Sequence, residues 1–144
     1  MNRPYEGDVS VEACWDRLQA DPDAFLIDVR TRAEWAFVGV PDLSLAHRDP
    51  LFAEWQTYPA MTVDADFAVR VAQGVEAAGG SAQSTLFFLC RSGARSMGSA
   101  AALTQAGFAH CFNVADGFEG PTDENGHRGT VAGWKAAGLP WRQK

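Results

Sequence analysis

No stretch of this chain approaches the roughly 20 consecutive apolar residues that a membrane-crossing helix needs. Positive charge is also scarce. Twelve Lys and Arg stand against 18 Asp and Glu, giving a net charge of −6. No basic stripe offsets that balance, so general nucleic-acid binding is excluded. Cysteine is sparse: Cys14, Cys90 and Cys111 are odd in number and widely spaced. That pattern argues against a disulfide framework and suits a reducing compartment. There is no Cys-x-x-Cys pair, and His110-Cys111 alone is too little for a zinc site. No metal and no organic cofactor are therefore expected. The opening residues, Met1 to Asp8, lack the apolar core of a signal peptide, and the expected location is cytoplasmic. No repeat of solenoid period is present.

What the chain does have is ordinary globular material. Its 144 residues are 47% hydrophobic and 21% charged, enough for one domain over 1–144 with one core. Ser10 is placed to cap a helix reaching about residue 20, and Asp21-Pro22-Asp23 reads as a turn. Residues 25–29 form an apolar run with little alternation, the signature of a strand covered on both faces. Thr31 and Glu34 have capping-box spacing, which predicts a short helix ended by Gly39 and Pro41-Asp42. Short strands are expected at 43–46 and 51–56, with a turn at Thr57-Tyr58-Pro59. Asp64 or Thr62 would cap a helix to about residue 78, ended by Gly79-Gly80-Ser81. A strand at 85–89, a helix from about 96 to 105 ended at Gly107, and a strand at 110–114 follow. Residues 115–129 read as an irregular, glycine-bearing loop, and 131–137 as a last short helix. Strands alternating with helices imply an α/β fold, with a mostly parallel central sheet and helices on both faces. Ligands of such sheets bind at the carboxyl ends of the strands.

One of those ends carries the chemistry. Cys90-Arg91-Ser92-Gly93-Ala94-Arg95-Ser96 joins the apolar run Thr85-Leu86-Phe87-Phe88-Leu89 to a helix of small residues. The inward N–H groups of such a turn and the positive end of the helix together form an anion cradle. Helix N-termini and nearby arginines also favour a reactive thiolate. Cys90 is accordingly the candidate nucleophile.

The loop resembles the active-site loop of the rhodanese-like sulfurtransferases, in which a cysteine carries a sulfane sulfur as a persulfide. Leu26-Ile27-Asp28-Val29-Arg30 with Glu34-Trp35 resembles that family's first-strand signature. Asn113-Val114-Ala115-Asp116-Gly117-Phe118-Glu119-Gly120 resembles the strand and glycine turn behind the active-site helix. Gly133-Trp134-Lys135-Ala136-Ala137-Gly138-Leu139-Pro140 resembles its closing segment. These pieces come in the family's order across about residues 8 to 142. Many members carry His-Ile-Pro-Gly-Ala after the first helix. Here Gly39-Val40-Pro41-Asp42-Leu43 stands there, without the histidine.

The resemblance implies a rhodanese-like domain that moves sulfur from a small anionic donor, such as thiosulfate or a persulfide, to cyanide or a thiol, including a protein thiol. The backbone N–H groups of Ser92, Gly93, Ala94, Arg95 and Ser96 would hold the anionic sulfur. Arg91 would face the mouth and attract the donor. Arg95 would turn inward and pair with Asp28 or Glu34. Asp28 and Arg30 support the site or cap the turn after their strand. The Ser92 hydroxyl is expected to bond within the loop. Cys14 and Cys111 are expected as core thiols, His47, His110 and His127 as structural or surface groups, and Trp35, Trp55 and Trp134 as core or rim. A carrier that discharges only to a protein partner, or a regulatory module, remains an alternative. Phosphatases and arsenate reductases of the same fold need one residue more between cysteine and arginine than the four that separate Cys90 from Arg95.

Overall fold

The computed structural model describes residues 4–57 and 60–143. A strand β1 (Gly7–Val9) leads into helix α1 (Val11–Ala20), started by the Ser10 hydroxyl, which accepts from the Ala13 N–H at 3.0 Å. Strand β2 (Ala24–Asp28) is followed by α2 (Arg32–Phe37), whose capping box joins Thr31 and Glu34 reciprocally. Then come β3 (Val40–Pro41), a 3₁₀ turn (Ser44–Ala46), β4 (Leu51–Phe52), and a hairpin of β5 (Gln56–Thr57) and β6 (Thr62–Val63). Helix α3 (Phe67–Ala77), β7 (Thr85–Leu89), α4 (Ala94–Gln105), β8 (His110–Val114) and β9 (Trp141–Arg142) complete the order.

Among the described residues, one sheet runs β1-β8-β7-β2-β4, and every neighbouring pair is parallel. Its strands are apolar without alternation because both faces are covered. Leu86 and Phe88 of β7 pack with Val71 and Val75 of α3 and Leu103 of α4. Phe87 and Leu89 point the other way, among Trp15 and Leu18 of α1 and Trp134. This is the expected α/β fold, with a mostly parallel central sheet between two helical layers. Among the described residues, no helix is long and apolar enough to cross a membrane.

Several local expectations are corrected. Residues 43–46 do not form a strand: the Asp42 carboxylate accepts from the Ser44 N–H at 3.0 Å and winds the chain into the 3₁₀ turn. The strand at 51–56 shrinks to β4, because the chain past Phe52 leaves the sheet edge for the β5–β6 hairpin. Tyr58 and Pro59, part of the expected turn there, lie outside the described residues. Helix α3 begins at Phe67. Thr62 belongs to β6, and Asp64 shapes the preceding turn by accepting from the Asp66 N–H at 2.9 Å. Helix α4 begins at Ala94, two residues early, because Gly93 itself occupies the cap. No helix forms over 131–137. Gly133 takes a left-handed φ of +100°, and Trp134 and Lys135 donate to Gly117 and Phe118 across the fold instead of to their own turn. The two-residue pairing of β3 with β9 and the three-residue β1 are too short to show a periodicity in sequence.

Candidate active site

Strand β7 sits near the middle of the sheet and delivers Cys90 to its carboxyl end. The thiol is almost wholly buried, yet it lines a cavity of about 300 Å³ with Glu34, Met61, Arg91, Ser92, Ala94 and Arg95. Its Sγ accepts from the Gly93 N–H at 3.1 Å, and the Ser96 hydroxyl lies 3.2 Å away. Gly93 reaches this position with a left-handed φ of +101°, a conformation that suits glycine. A Cβ there would press within 3.3 Å of the Asp116 backbone nitrogen. The following residues, Ala94, Arg95 and Ser96, open α4. Their N–H groups belong to the first turn, which has no intrahelical acceptor for them. An anion beside Sγ would meet these donors and the helix dipole.

A second turn braces the loop from behind. Phe118 donates to the Cys90 carbonyl at 2.8 Å, and Glu119 and Gly120 donate to the Arg91 carbonyl at 2.9 and 3.0 Å. Gly117 makes this approach with φ +66°, and a Cβ there would lie 2.6 Å from the Arg91 carbonyl carbon and oxygen. Gly117→Val is expected to displace the loop and cost about 2–4 kcal/mol, from backbone strain plus overpacking. Chemical denaturation measures it, and a cost below about 0.5 kcal/mol would show that the two turns are not locked together.

The two arginines divide as expected. Arg91 is exposed at the mouth. Arg95 turns inward and binds Glu34 with both terminal nitrogens, at 2.8 and 2.9 Å. Asp28, the other candidate partner, does not meet Arg95 in this way. It holds Arg30 through Nε at 3.0 Å and Nη2 at 2.7 Å, with both side chains fully buried. It also accepts from the Arg30 backbone N–H, so the turn-capping role is present. Arg30 continues to the Gly39 carbonyl at 2.8 Å and lies over the Phe118 ring at 4.2 Å. The pair thereby ties the end of β2 to the turn after α2 and to the bracing turn. The Ser92 hydroxyl, expected to bond within the loop, has no hydrogen bond among the described residues and lines the cavity instead.

Burial pushes the Glu34 carboxyl up, but the hydrogen bonds and charge of Arg95, with help from Thr31, outweigh it and hold it below the usual carboxylate range. A lowered folded value means the carboxylate stabilises the fold above its unfolded pKa, and that contribution is lost as pH falls through the folded one. Glu34→Gln is expected to cost about 1–2 kcal/mol at neutral pH, the scale of a charge-assisted bidentate pair. The gap to wild type should close in acid, below the ordinary carboxylate range. Urea melts across pH test this, and a gap that persisted or widened in acid would contradict it.

Cys14 and Cys111 are buried, and desolvation raises both thiols, Cys111 to about 11. They pack in the core as expected. Trp35 packs on Phe52, Trp55 on Phe67, and Trp134 is buried against Trp15. His110 pairs with Glu6 at the surface, and His47 and His127 are exposed. Sequence reasoning passes over Asn113 and Asp8. Asn113, on β8, faces the Ser96 hydroxyl and donates to Asp8 on β1 at 3.0 Å. A polar residue between the apolar Phe112 and Val114 of the strand is the trace it leaves in the sequence.

A family model described as the STR4 middle domain, a rhodanese-like family, matches residues 6–144. This chain belongs to the STR4 middle-domain family. It is similar to Rv0390 from M. tuberculosis, with 43% identity and a TM-score of 0.85, over 97% of this chain and 99% of that one. It is 37% identical to a Rickettsia rickettsii protein called RP600 homolog and described as uncharacterized, over 89% of this chain and 90% of that protein. Its fold is shared by the rhodanese-like domain of Alr3790 from Anabaena, at TM-score 0.62 and 16% identity over 99% and 81% of the two chains. It is shared also by a polysulfide-sulfur transferase homodimer from Wolinella succinogenes, at TM-score 0.59 and 20% identity over 95% and 78%.

Proposed function

We propose that this rhodanese-like domain is a sulfurtransferase working through a persulfide on Cys90. The observation that carries the reading is the buried Cys90 sulfur, held by the Gly93 N–H at 3.1 Å, lining the cavity before the open N-terminal turn of α4. The Cys90 thiolate attacks the outer sulfur of thiosulfate. The new S–S bond forms as the old one breaks, and sulfite leaves with the electron pair. The persulfide's terminal sulfur, now anionic, takes the N–H groups of the loop. Cyanide or a thiolate then attacks that sulfur, leaving as thiocyanate or a new persulfide and restoring the Cys90 thiolate. This is double displacement, with the leaving-group logic of thiol–disulfide exchange.

The Arg95 guanidinium argues against an oxyanion-cleaving alternative. It is spent on Glu34, so it is not free to clamp a phosphate or arsenate. The fold shared with a polysulfide-sulfur transferase accords with sulfur as the cargo. Arg91 and Glu34 also wall a larger cavity of about 630 Å³, where Glu119, His127 and Arg128 join them. Its two carboxylates and two arginines balance in formal charge, and Arg91 is the cation shared with the sulfur cavity, where an anionic donor would meet it. Arg91→Ala is expected to raise KM for thiosulfate about tenfold while leaving cyanide discharge of the preformed persulfide unchanged, because one charge-assisted contact is lost. Equal loss in both half-reactions would remove the donor-binding role.

The deciding experiment is intact-protein mass after incubation with thiosulfate. A gain of one sulfur atom, reversed by cyanide, is expected. Charging without repeated turnover on small acceptors would make the domain a carrier. No gain with either thiosulfate or a persulfide donor would overturn the sulfur reading.

A further inference from the structure

Ser96, Asn113 and Asp8 form a line leading from the Cys90 sulfur to the sheet edge, and none of them lines the sulfur cavity. Ser96 on α4 and Asn113 on β8 are buried, while Asp8 on β1 is exposed. The direction of each hydrogen bond follows by elimination. A carboxylate oxygen only accepts. The Asn113 atom facing Asp8 Oδ1 is therefore its Nδ2 donor, and the Tyr5 hydroxyl donates to the same oxygen at 3.0 Å. Asn113 must then turn its Oδ1 toward Ser96. The Ser96 hydroxyl has one proton and gives it to that oxygen. What Ser96 offers the Cys90 sulfur, 3.2 Å away, is a lone pair.

That setting suits a thiol, whose S–H donates to Ser96. It does not suit a thiolate. To support the anion, Ser96 must swing its proton from Asn113 to the sulfur, stranding a buried amide oxygen. Once sulfur is loaded, the inner sulfur is no longer anionic and the proton can return. We propose that Asn113, oriented by Asp8, holds the Ser96 proton away from Cys90 and so sets how readily Cys90 becomes a thiolate. Both are positioning residues acting through Ser96. Other charged groups around the thiol stay in place: Arg91 and Arg95 on its own loop and helix, Glu34 of α2 paired with Arg95, Asp28 of β2 paired with Arg30, and Asp116 on the turn against Gly93.

The inference refines the proposed function, but its readout is the thiol itself, so it stands or falls separately from sulfur transfer. The experiment is the pH profile of Cys90 alkylation by iodoacetamide, followed by mass. Asn113→Leu is expected to speed alkylation up to about tenfold on the acid side and move the profile to lower pH, the scale of one hydrogen bond to a charged group. Ser96→Ala removes both the lone pair that favours the thiol and the hydroxyl that Asn113 holds, so it should not move the profile to higher pH. The double variant should follow Ser96→Ala, since without the hydroxyl Asn113 has nothing to hold. Asp8→Asn lies at an exposed edge and serves if Asn113→Leu fails to fold. It frees the Asn113 amide to reverse and should shift the profile to lower pH, but not in Asp8→Asn/Ser96→Ala. A shift that survived loss of Ser96 would be bare charge removal and would overturn the proposal. So would profiles that Asn113→Leu and Asp8→Asn leave unmoved, or an Asn113→Leu shift to higher pH.

Discussion

Cys90→Ser is expected to gain no sulfur from thiosulfate and to lose turnover by roughly three orders of magnitude or more, as loss of a covalent nucleophile does. A serine hydroxyl keeps its proton near neutral pH and offers a poorer nucleophile to a sulfane sulfur. Neither remaining cysteine can stand in. Cys14 and Cys111 are buried on opposite core faces, with burial raising both thiols. The substitution keeps the site's volume and the Gly93 contact, so the fold should persist by circular dichroism. Intact mass and thiocyanate release report the effect. A variant that still charged at Cys111 would move the nucleophile to the wrong end of the sheet and end the mechanism given above.

Arg30→Met is expected to produce the largest stability loss. It leaves Asp28 charged, fully buried and without the bidentate partner at 2.7 and 3.0 Å. Breaking a buried pair from one side costs about 3–5 kcal/mol, a Tm fall of roughly 10 °C or more for a chain of this length. The Gly39 carbonyl and the Phe118 ring lose their cation as well. Phe118 donates the backbone bond that holds the Cys90 carbonyl, so sulfur charging should slow even where the variant stays folded. Replacing both charges, in Asp28→Leu/Arg30→Met, should recover much of the stability, because the desolvation cost of the pair disappears with it. If the single variant cost less than 1 kcal/mol, or the double cost more than the single, the pair would not be the support described here.

The parts of the site that could be read in advance are those encoded locally. The Thr31–Glu34 capping box, the Ser10 cap and the strand at 85–89 each depend on residues within a few positions of one another, and all three are present. The inward turn of Arg95 was expected too, but Asp28 and Glu34 were equal candidates. Only the fold decides between them, because Arg30, two residues from Asp28 along the chain, takes that carboxylate first. The expected helix at 131–137 failed for a related reason. Its apolar and small residues permit a helix, yet bonds from Trp134 and Lys135 to the turn at 117–118 win over an isolated short one.

By itself, then, the chain's sequence determined a parallel α/β sheet and a cysteine on a glycine-bearing turn at the head of a helix. Apolar runs, caps and left-handed glycines are properties of neighbouring residues. Tertiary structure decided which carboxylate each arginine holds, which turn braces the loop, and which buried amide meets the Ser96 hydroxyl. Those outcomes depend on Glu34, Phe118 and Asn113 arriving from α2, the closing turn and β8, tens of residues away along the chain. A buried polar group takes whatever partner the packed elements bring within reach, and no local pattern records that choice.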